Sequence, residues 1–85
     1  MKKIRYVITD ELGIHARPAG QLVKEASTFK CKIEIGTPEK MVDARRIMGV
    51  MGLAVKKGNV LTMSFDGEDE AEAATALEAF LKANL

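Results

Sequence analysis

The chain of 85 residues contains no tryptophan, a single cysteine, two prolines and few aromatic residues, one tyrosine and three phenylalanines. A lone thiol cannot form an internal disulfide and is typical of a reducing compartment, so we expect a cytoplasmic protein. The scattered aromatic residues provide no platform for stacking bases. The 13 basic and 12 acidic residues leave a formal net charge of +1, which creates no positive field for a phosphate backbone. We therefore expect no nucleic-acid partner.

Long hydrophobic runs are also missing from the chain. The basic start, Met1 to Arg5, is not followed by the apolar core of about 7–15 residues that a signal peptide needs. No segment approaches the roughly 20 apolar residues of a membrane-spanning helix. We therefore expect neither secretion nor membrane insertion. Because 47% of so short a chain is hydrophobic, the sequence predicts one folded domain spanning residues 1–85.

Alternation of apolar and polar residues predicts three strands, over residues 4–8, 31–35 and 61–65, because successive side chains of a strand point to opposite faces of a sheet. A turn at residues 36–40 predicts a further short strand over 41–43, which forms a hairpin with the strand before it. Each strand therefore presents one apolar and one polar face. This pattern is typical of a sheet that is covered on one side only.

Three further segments carry apolar residues at helical spacing. They predict a helix from His15 or Ala16 to about Thr28, a short helix over Ile47–Ala54, and a final helix from about Asp69. Together with the strands they give the order β-α-β-β-α-β-α. Because each helix has one apolar face, the sequence predicts an α+β fold, an open-faced β-sandwich.

The starts of the two longer helices carry local signals. Pro18 lacks a backbone N–H and is tolerated only in the first turn, which places the start of the first helix at His15 or Ala16. Asp69 is expected to cap the final helix, with Glu72 reaching back in a capping box.

The segment Gly13–Gly20 contains the only histidine, His15, at a loop-to-helix junction. The free amides and the positive dipole end of a helix favour an anion, and the guanidinium of Arg17 suits phosphate oxygens. A phosphoryl group accepted by an imidazole nitrogen of His15 would therefore lie in a stabilising site. The alternative is that His15 is an ordinary polar surface residue near a helix end.

Other chemistries have weaker support. One histidine and one cysteine cannot supply the four ligands of a structural zinc site, so we expect no metal and no cofactor. Cys31 alternates inward on a strand and is expected to be a small core residue, not a nucleophile. No spacing of serine, histidine and aspartate indicates a hydrolytic triad.

Two motifs resemble those of a known family. The run Gly13–Ala19 resembles the active-site signature of the HPr phosphocarriers of the bacterial phosphoenolpyruvate-dependent sugar phosphotransferase system. The runs Ile47–Met51 and Lys56–Gly58 resemble the second segment of that family, at matching separation. The resemblance covers essentially the whole chain and implies a four-stranded antiparallel sheet with three helices on one face.

The resemblance also implies a function. His15 would accept a phosphoryl group on Nδ1 from phosphorylated enzyme I and pass it to the IIA domain of a sugar transporter. Arg17 would help to hold the group, supported by the first helical turn of Ala16, Arg17 and Pro18. Such a protein is a phosphocarrier with no cofactor, not an autonomous turnover enzyme, because the partner completes the active site.

The resemblance implies a docking surface for enzyme I and the IIA domain. We expect a monomer, because a carrier must present one face to successive partners and release it quickly, and a swapped dimer is the alternative. Arg46 stands where many family members have a regulatory serine, so regulation by phosphorylation of that serine is not expected, and Asp43 is expected to start the short helix instead. The expected partner-binding residues are Gly20, Gln21, Lys24, Arg46, Ile47, Met48 and Met51.

Two alternatives remain open on the sequence. One is a regulatory module of the same family that relays no phosphate, although an intact His15 and Arg17 argue against it. The other is a nitrogen-linked branch of phosphotransfer, which would share all of these residues. The sequence does not name the sugar.

Overall fold

The structure, a computed structural model, describes all of residues 1–85 and confirms the expected order of elements. No helix is long or apolar enough to cross a membrane. The strands are β1 (Lys2–Val7), β2 (Lys32–Thr37), β3 (Lys40–Asp43) and β4 (Val60–Asp66), and the helices are α1 (Ala16–Ala26), α2 (Ile47–Met51) and α3 (Glu70–Asn84).

The four strands form one antiparallel sheet in the order β1-β4-β2-β3. β4 pairs with both β1 and β2, and β3 extends the sheet as a hairpin with β2. Because the pairing is antiparallel throughout, one face of the sheet can be buried and the other exposed. The expected open-faced arrangement, with the helices over one face, is confirmed.

The core lies between the sheet and the helices. Inward residues of the central strands, such as Ile33, Ile35 and Phe65, are completely buried, and Leu22 and Leu77 meet them from α1 and α3. Apart from Gly36, their outward neighbours along the strands are polar or charged. The alternation of apolar and polar residues in the sequence therefore identifies correctly which face of the sheet is buried.

α1 and α2 are shorter than expected. Ser27 and Thr28 lie beyond the end of α1, where their hydroxyls donate hydrogen bonds to the carbonyls of Val23 and Glu25. These side chains compete with continuation of the helix. α2 ends at Met51, before the expected Ala54, and Ala54 itself adopts the left-handed conformation with φ of 53°.

The expected capping box of α3 is wrong. α3 begins at Glu70, but the carboxylate of Asp69 makes no cap hydrogen bond within its helix. It accepts hydrogen bonds from the backbone N–H groups of Lys30 and Cys31, at 2.8 and 2.9 Å. Glu70, and not Glu72, reaches back, since its Oε1 accepts the N–H of Gly67 at 3.2 Å. Asp69 therefore fastens the start of β2 to α3.

The expected role of Asp43 is also wrong. α2 begins only at Ile47, with Arg46 as its N-cap and no side-chain cap bond. The carboxylate of Asp43 instead accepts the N–H of Arg45 at 2.9 Å, which makes a local turn before the helix. Asp43 shapes the approach to α2 and does not lengthen it.

Candidate functional site

His15 is the N-cap residue of α1. Its backbone is extended, with φ of −110° and ψ of −177°, and its carbonyl accepts the N–H of Ala19 at 3.0 Å. The imidazole makes no cap hydrogen bond and is partly exposed. The position of His15 at the start of the helix, expected from Pro18, is therefore confirmed.

The first turn of α1 offers two unpaired amides. The N–H groups of Ala16 and Arg17 donate to no acceptor within the protein. Pro18, the third helical residue, is buried and has no N–H to offer. An anion at the helix start would therefore meet the amides of Ala16 and Arg17, with the exposed Arg17 side chain beside them.

The loop before His15 is held by backbone contacts that the sequence reasoning missed. Gly13 has φ of 65°, and the N–H of the buried Ile14 donates to the carbonyl of Val55 at 3.2 Å. A β-carbon on Gly13 would overlap the Val55 oxygen and lie 2.8 Å from Cα of Lys56. In the sequence, Gly13 indicates a special backbone conformation before His15. The sequence does not show that Gly13 packs against Val55, which is far away along the chain.

The other end of this loop is hydrogen-bonded to Leu85, the C-cap residue of α3. Its backbone oxygen accepts the N–H groups of Thr9 and Asp10 and the hydroxyl of Thr9, at 2.6 to 2.8 Å. The carboxylate of Asp10 accepts the N–H of Leu12 at 2.8 Å. The segment leading to His15 is therefore anchored at both ends.

α2 presents an apolar surface close to α1. Met48 is 78% exposed, Ile47 40% and Met51 38%, whereas Val50 is completely buried. Val50 therefore anchors this short helix in the core, while Ile47 stays partly exposed. A β-carbon on Gly20 of α1 would lie 3.7 Å from Cδ1 of Ile47, so the two helices meet at this point.

The remaining expected contact residues differ in exposure. Gln21, Lys24 and Arg46 are exposed, whereas Gly20 is half-buried. Neighbouring Arg45, in contrast, is turned inward: its guanidinium donates to the carbonyls of Phe29 and Cys31 at 2.6 and 2.7 Å. Of the two adjacent arginines, only Arg46 is available to a partner.

The cysteine is not a candidate nucleophile. Cys31 is 3% exposed, as expected of a core residue, and burial raises the pKa of its thiol to about 11, with a hydrogen bond to Asp69 contributing. The thiolate is the reactive form, so this thiol is unreactive near neutral pH. No group of three or more histidine, cysteine, aspartate or glutamate side chains is placed to hold a metal ion.

Comparisons with known proteins agree with this geometry. The family model described as PTS HPr component phosphorylation site matches residues 2–83. The phosphocarrier protein HPr of Lysinibacillus sphaericus is 48% identical over 81 residues, which are 95% of this chain and 92% of that protein.

Solved structures show the same relationship. HPr-C-His from Thermoanaerobacter tengcongensis superposes with a TM-score of 0.91 at 41% identity, over 98% of this chain and 93% of that one. Crh of Bacillus subtilis, a catabolite repression protein that forms a swapped dimer, has a TM-score of 0.78 at 35% identity, over 100% and 98% of the two chains. The match over nearly the whole chain, together with the fold, establishes that this chain belongs to the HPr family of phosphocarriers of the phosphotransferase system.

Proposed function

We propose that this chain accepts a phosphoryl group from phosphorylated enzyme I on His15 and passes it to the IIA domain of a sugar transporter. The observation that carries the proposal is the partly exposed imidazole at the start of α1, which makes no hydrogen bond to its own helix. The group would originate in phosphoenolpyruvate. The chain acts as a carrier and performs no turnover of its own.

The transfer needs positioning and charge stabilisation. An imidazole nitrogen of His15 forms a bond to phosphorus while the bond from phosphorus to its donor on enzyme I breaks, and the reverse exchange delivers the group to the IIA domain. The N–H groups of Ala16 and Arg17, which donate to no acceptor within the protein, would donate hydrogen bonds to the phosphoryl oxygens. The Arg17 guanidinium adds a delocalised cation. The protein has no deep pocket at His15, so the partner must exclude water from the reaction.

The docking surface consists of the exposed residues of α1 and α2 around His15. Ile47, Met48 and Met51 supply apolar area, and the flexible methionines suit successive partners of different shape. Gly20, Gln21, Lys24 and Arg46 complete the surface. A cytoplasmic monomer fits this role, because the carrier must present one face and release it quickly.

A regulatory role without phosphate relay is the second candidate. The observation that favours it is the likeness to Crh, the catabolite repression protein of Bacillus subtilis. The intact His15 and Arg17 favour the carrier, because a pure regulator has no need of the nucleophile. A nitrogen-linked branch would differ only in the IIA domain that accepts the group.

The test is incubation with phosphoenolpyruvate and purified enzyme I, followed by intact mass measurement. We expect a single acid-labile phosphoryl group that is absent from the His15→Ala variant. Arg17→Ala should still be modified but at a lower rate. A folded wild-type protein that several enzyme I preparations leave unmodified would contradict the carrier function and favour the regulatory one.

A further inference from the structure

The face of the sheet turned away from the helices holds a cleft of about 770 Å³. It lies on the opposite side of the sheet from α1 and His15, because the inward residues of the same strands form the core. A cleft of this size is in the range of small-molecule sites. Its principal lining residues are Lys3, Arg5, Glu34, Met41, Thr62 and Ser64.

One side of the cleft is cationic. Lys3 and Arg5 are exposed and lie two residues apart on β1, so both side chains leave the same face about 7 Å apart. Neither forms an ion pair, since the two ion pairs of the protein involve other residues. Two unpaired cations at this spacing can hold one phosphate or carboxylate group between them.

The floor of the cleft offers hydroxyl and carboxylate groups. In the register of the sheet, Lys3 lies opposite Ser64 and Arg5 opposite Thr62, while Glu34 lies on the far side of Ser64. The Glu34 carboxylate has neither an ion pair nor a hydrogen bond from a side chain. Hydroxyls that donate and accept, next to a carboxylate that only accepts, are suited to a ligand rich in hydroxyl groups.

The far side of the cleft is apolar and open. Pro38 and Met41, from the β2–β3 hairpin, line it. The space above Gly36 is taken by the backbone of Lys40 and Met41, since a β-carbon on Gly36 would overlap the Lys40 oxygen. The C–H face of a small ring or chain would therefore lie against Pro38 and Met41.

We propose that this cleft binds a small anionic polyol, with its phosphate or carboxylate group between Lys3 and Arg5 and its hydroxyls on Glu34, Thr62 and Ser64. Neutral sugars lack the anion, and inorganic phosphate lacks the hydroxylated body. Because the cleft faces away from His15, the bound molecule does not cover the docking surface. Binding here does not depend on the proposed phosphoryl transfer.

The test is a titration followed by NMR of the ¹⁵N-labelled protein, with glucose 6-phosphate, gluconate, glucose and inorganic phosphate as separate probes. We expect saturable shifts at the amides of Arg5, Gly36 and Thr62 with glucose 6-phosphate, gluconate or both, and the active probe identifies the headgroup. Arg5→Gln should weaken binding roughly tenfold, since it removes a charge-assisted contact. Glu34→Gln should weaken it less.

Arg46→Gln is the matched control, because it removes an exposed cation from the other side of the protein. It should leave the affinity unchanged. Equal shifts with inorganic phosphate, or an equal loss of affinity in Arg46→Gln, would overturn the proposal. The cleft would then be a charged patch that attracts ions without selecting a ligand. Absence of saturable shifts with every probe would also overturn it, and Lys3 and Arg5 would then only protect the edge strand β1 from pairing.

Discussion

The α-carbon of Gly13 packs directly on the carbonyl oxygen of Val55, in the space that a side chain at residue 13 would need. The next residue, Ile14, donates its N–H to that same oxygen at 3.2 Å. Gly13 and Ile14, the two residues immediately before His15, thus both depend on the Val55 carbonyl. The direction in which the chain enters α1 is fixed by this contact.

Gly13→Ala should lower the free energy of unfolding by roughly 2–5 kcal/mol, because a left-handed residue gains a β-carbon and that carbon collides with Val55. The phosphorylation rate of the remaining folded protein should also fall, since His15 is displaced. Urea unfolding and a timed phosphorylation assay measure the two effects. Gly58→Ala is the matched control: φ is 90° but no atom lies within 4 Å, so it should cost only about 1–2 kcal/mol. Equal losses would mean that the contact with Val55 is unimportant.

Ala54→Gly should stabilise the protein. Ala54 has φ of 53°, a conformation that costs a residue with a β-carbon about 1–2 kcal/mol. Glycine also has greater conformational freedom in the unfolded chain, which offsets part of this gain. The free energy of unfolding should therefore rise by a net amount of roughly 0.5–1 kcal/mol. Thermal unfolding measures it. Ala79→Gly, on the exposed side of α3, should instead lose about 1 kcal/mol. A loss in both variants would show that Ala54 carries no strain.

Asp69 should make the protein less stable in acid. Hydrogen bonds from the backbone N–H groups of Lys30 and Cys31 hold the pKa of its carboxyl below the usual range. The folded protein therefore binds this proton less tightly than the unfolded chain. The stabilisation is complete above the ordinary aspartate pKa and disappears as the pH falls through the lowered one.

Unfolding curves between about pH 2 and pH 7 test this effect. Asp69→Asn should be less stable than wild type at neutral pH, and the difference should shrink in acid. Asp66→Asn is the control, because the Asp66 carboxylate is exposed and accepts no hydrogen bond. If the two variants had the same pH profile, the contacts of Asp69 would not contribute to acid sensitivity.

The adjacent arginines should separate stability from partner binding. Arg45→Ala should cost roughly 1.5–3 kcal/mol in unfolding free energy, because the carbonyls of Phe29 and Cys31 lose their donor. Arg46→Ser should change stability by less than about 0.5 kcal/mol. It should instead slow phosphoryl transfer with acidic partners and reduce the dependence of that rate on salt. Unchanged rates and unchanged salt dependence would exclude Arg46 from docking.

Local signals in the sequence predicted much of the fold. Pro18 located the start of α1 to within one residue, since a residue without an N–H is tolerated only in the first turn of a helix. Alternation along residues 61–65 identified β4 as well as which side chains enter the core. These features depend only on neighbouring residues, which the sequence displays directly.

The errors came from side chains with distant partners. Asp69 and Glu72 have the spacing of a capping box, but the Asp69 carboxylate bonds to residues 38 and 39 positions away. Arg45 and Arg46 look equivalent in the sequence, and only the packing of the 29–31 segment turns the first inward. For the candidate site, the sequence predicted His15 and Arg17 at the helix start but gave no sign of Val55.

The frame of the histidine is assembled from three separate parts of the chain: the loop of residues 9–14, Val55 and Leu85. The sheet also joins residues that are far apart in the chain, since Ile4 of β1 lies opposite Met63 of β4. Contacts between residues so far apart in sequence form late in folding, because long loops must close first. Unfolded and half-folded chains therefore carry His15 without these surroundings, so the phosphoryl transfer that we propose for it requires the completed fold.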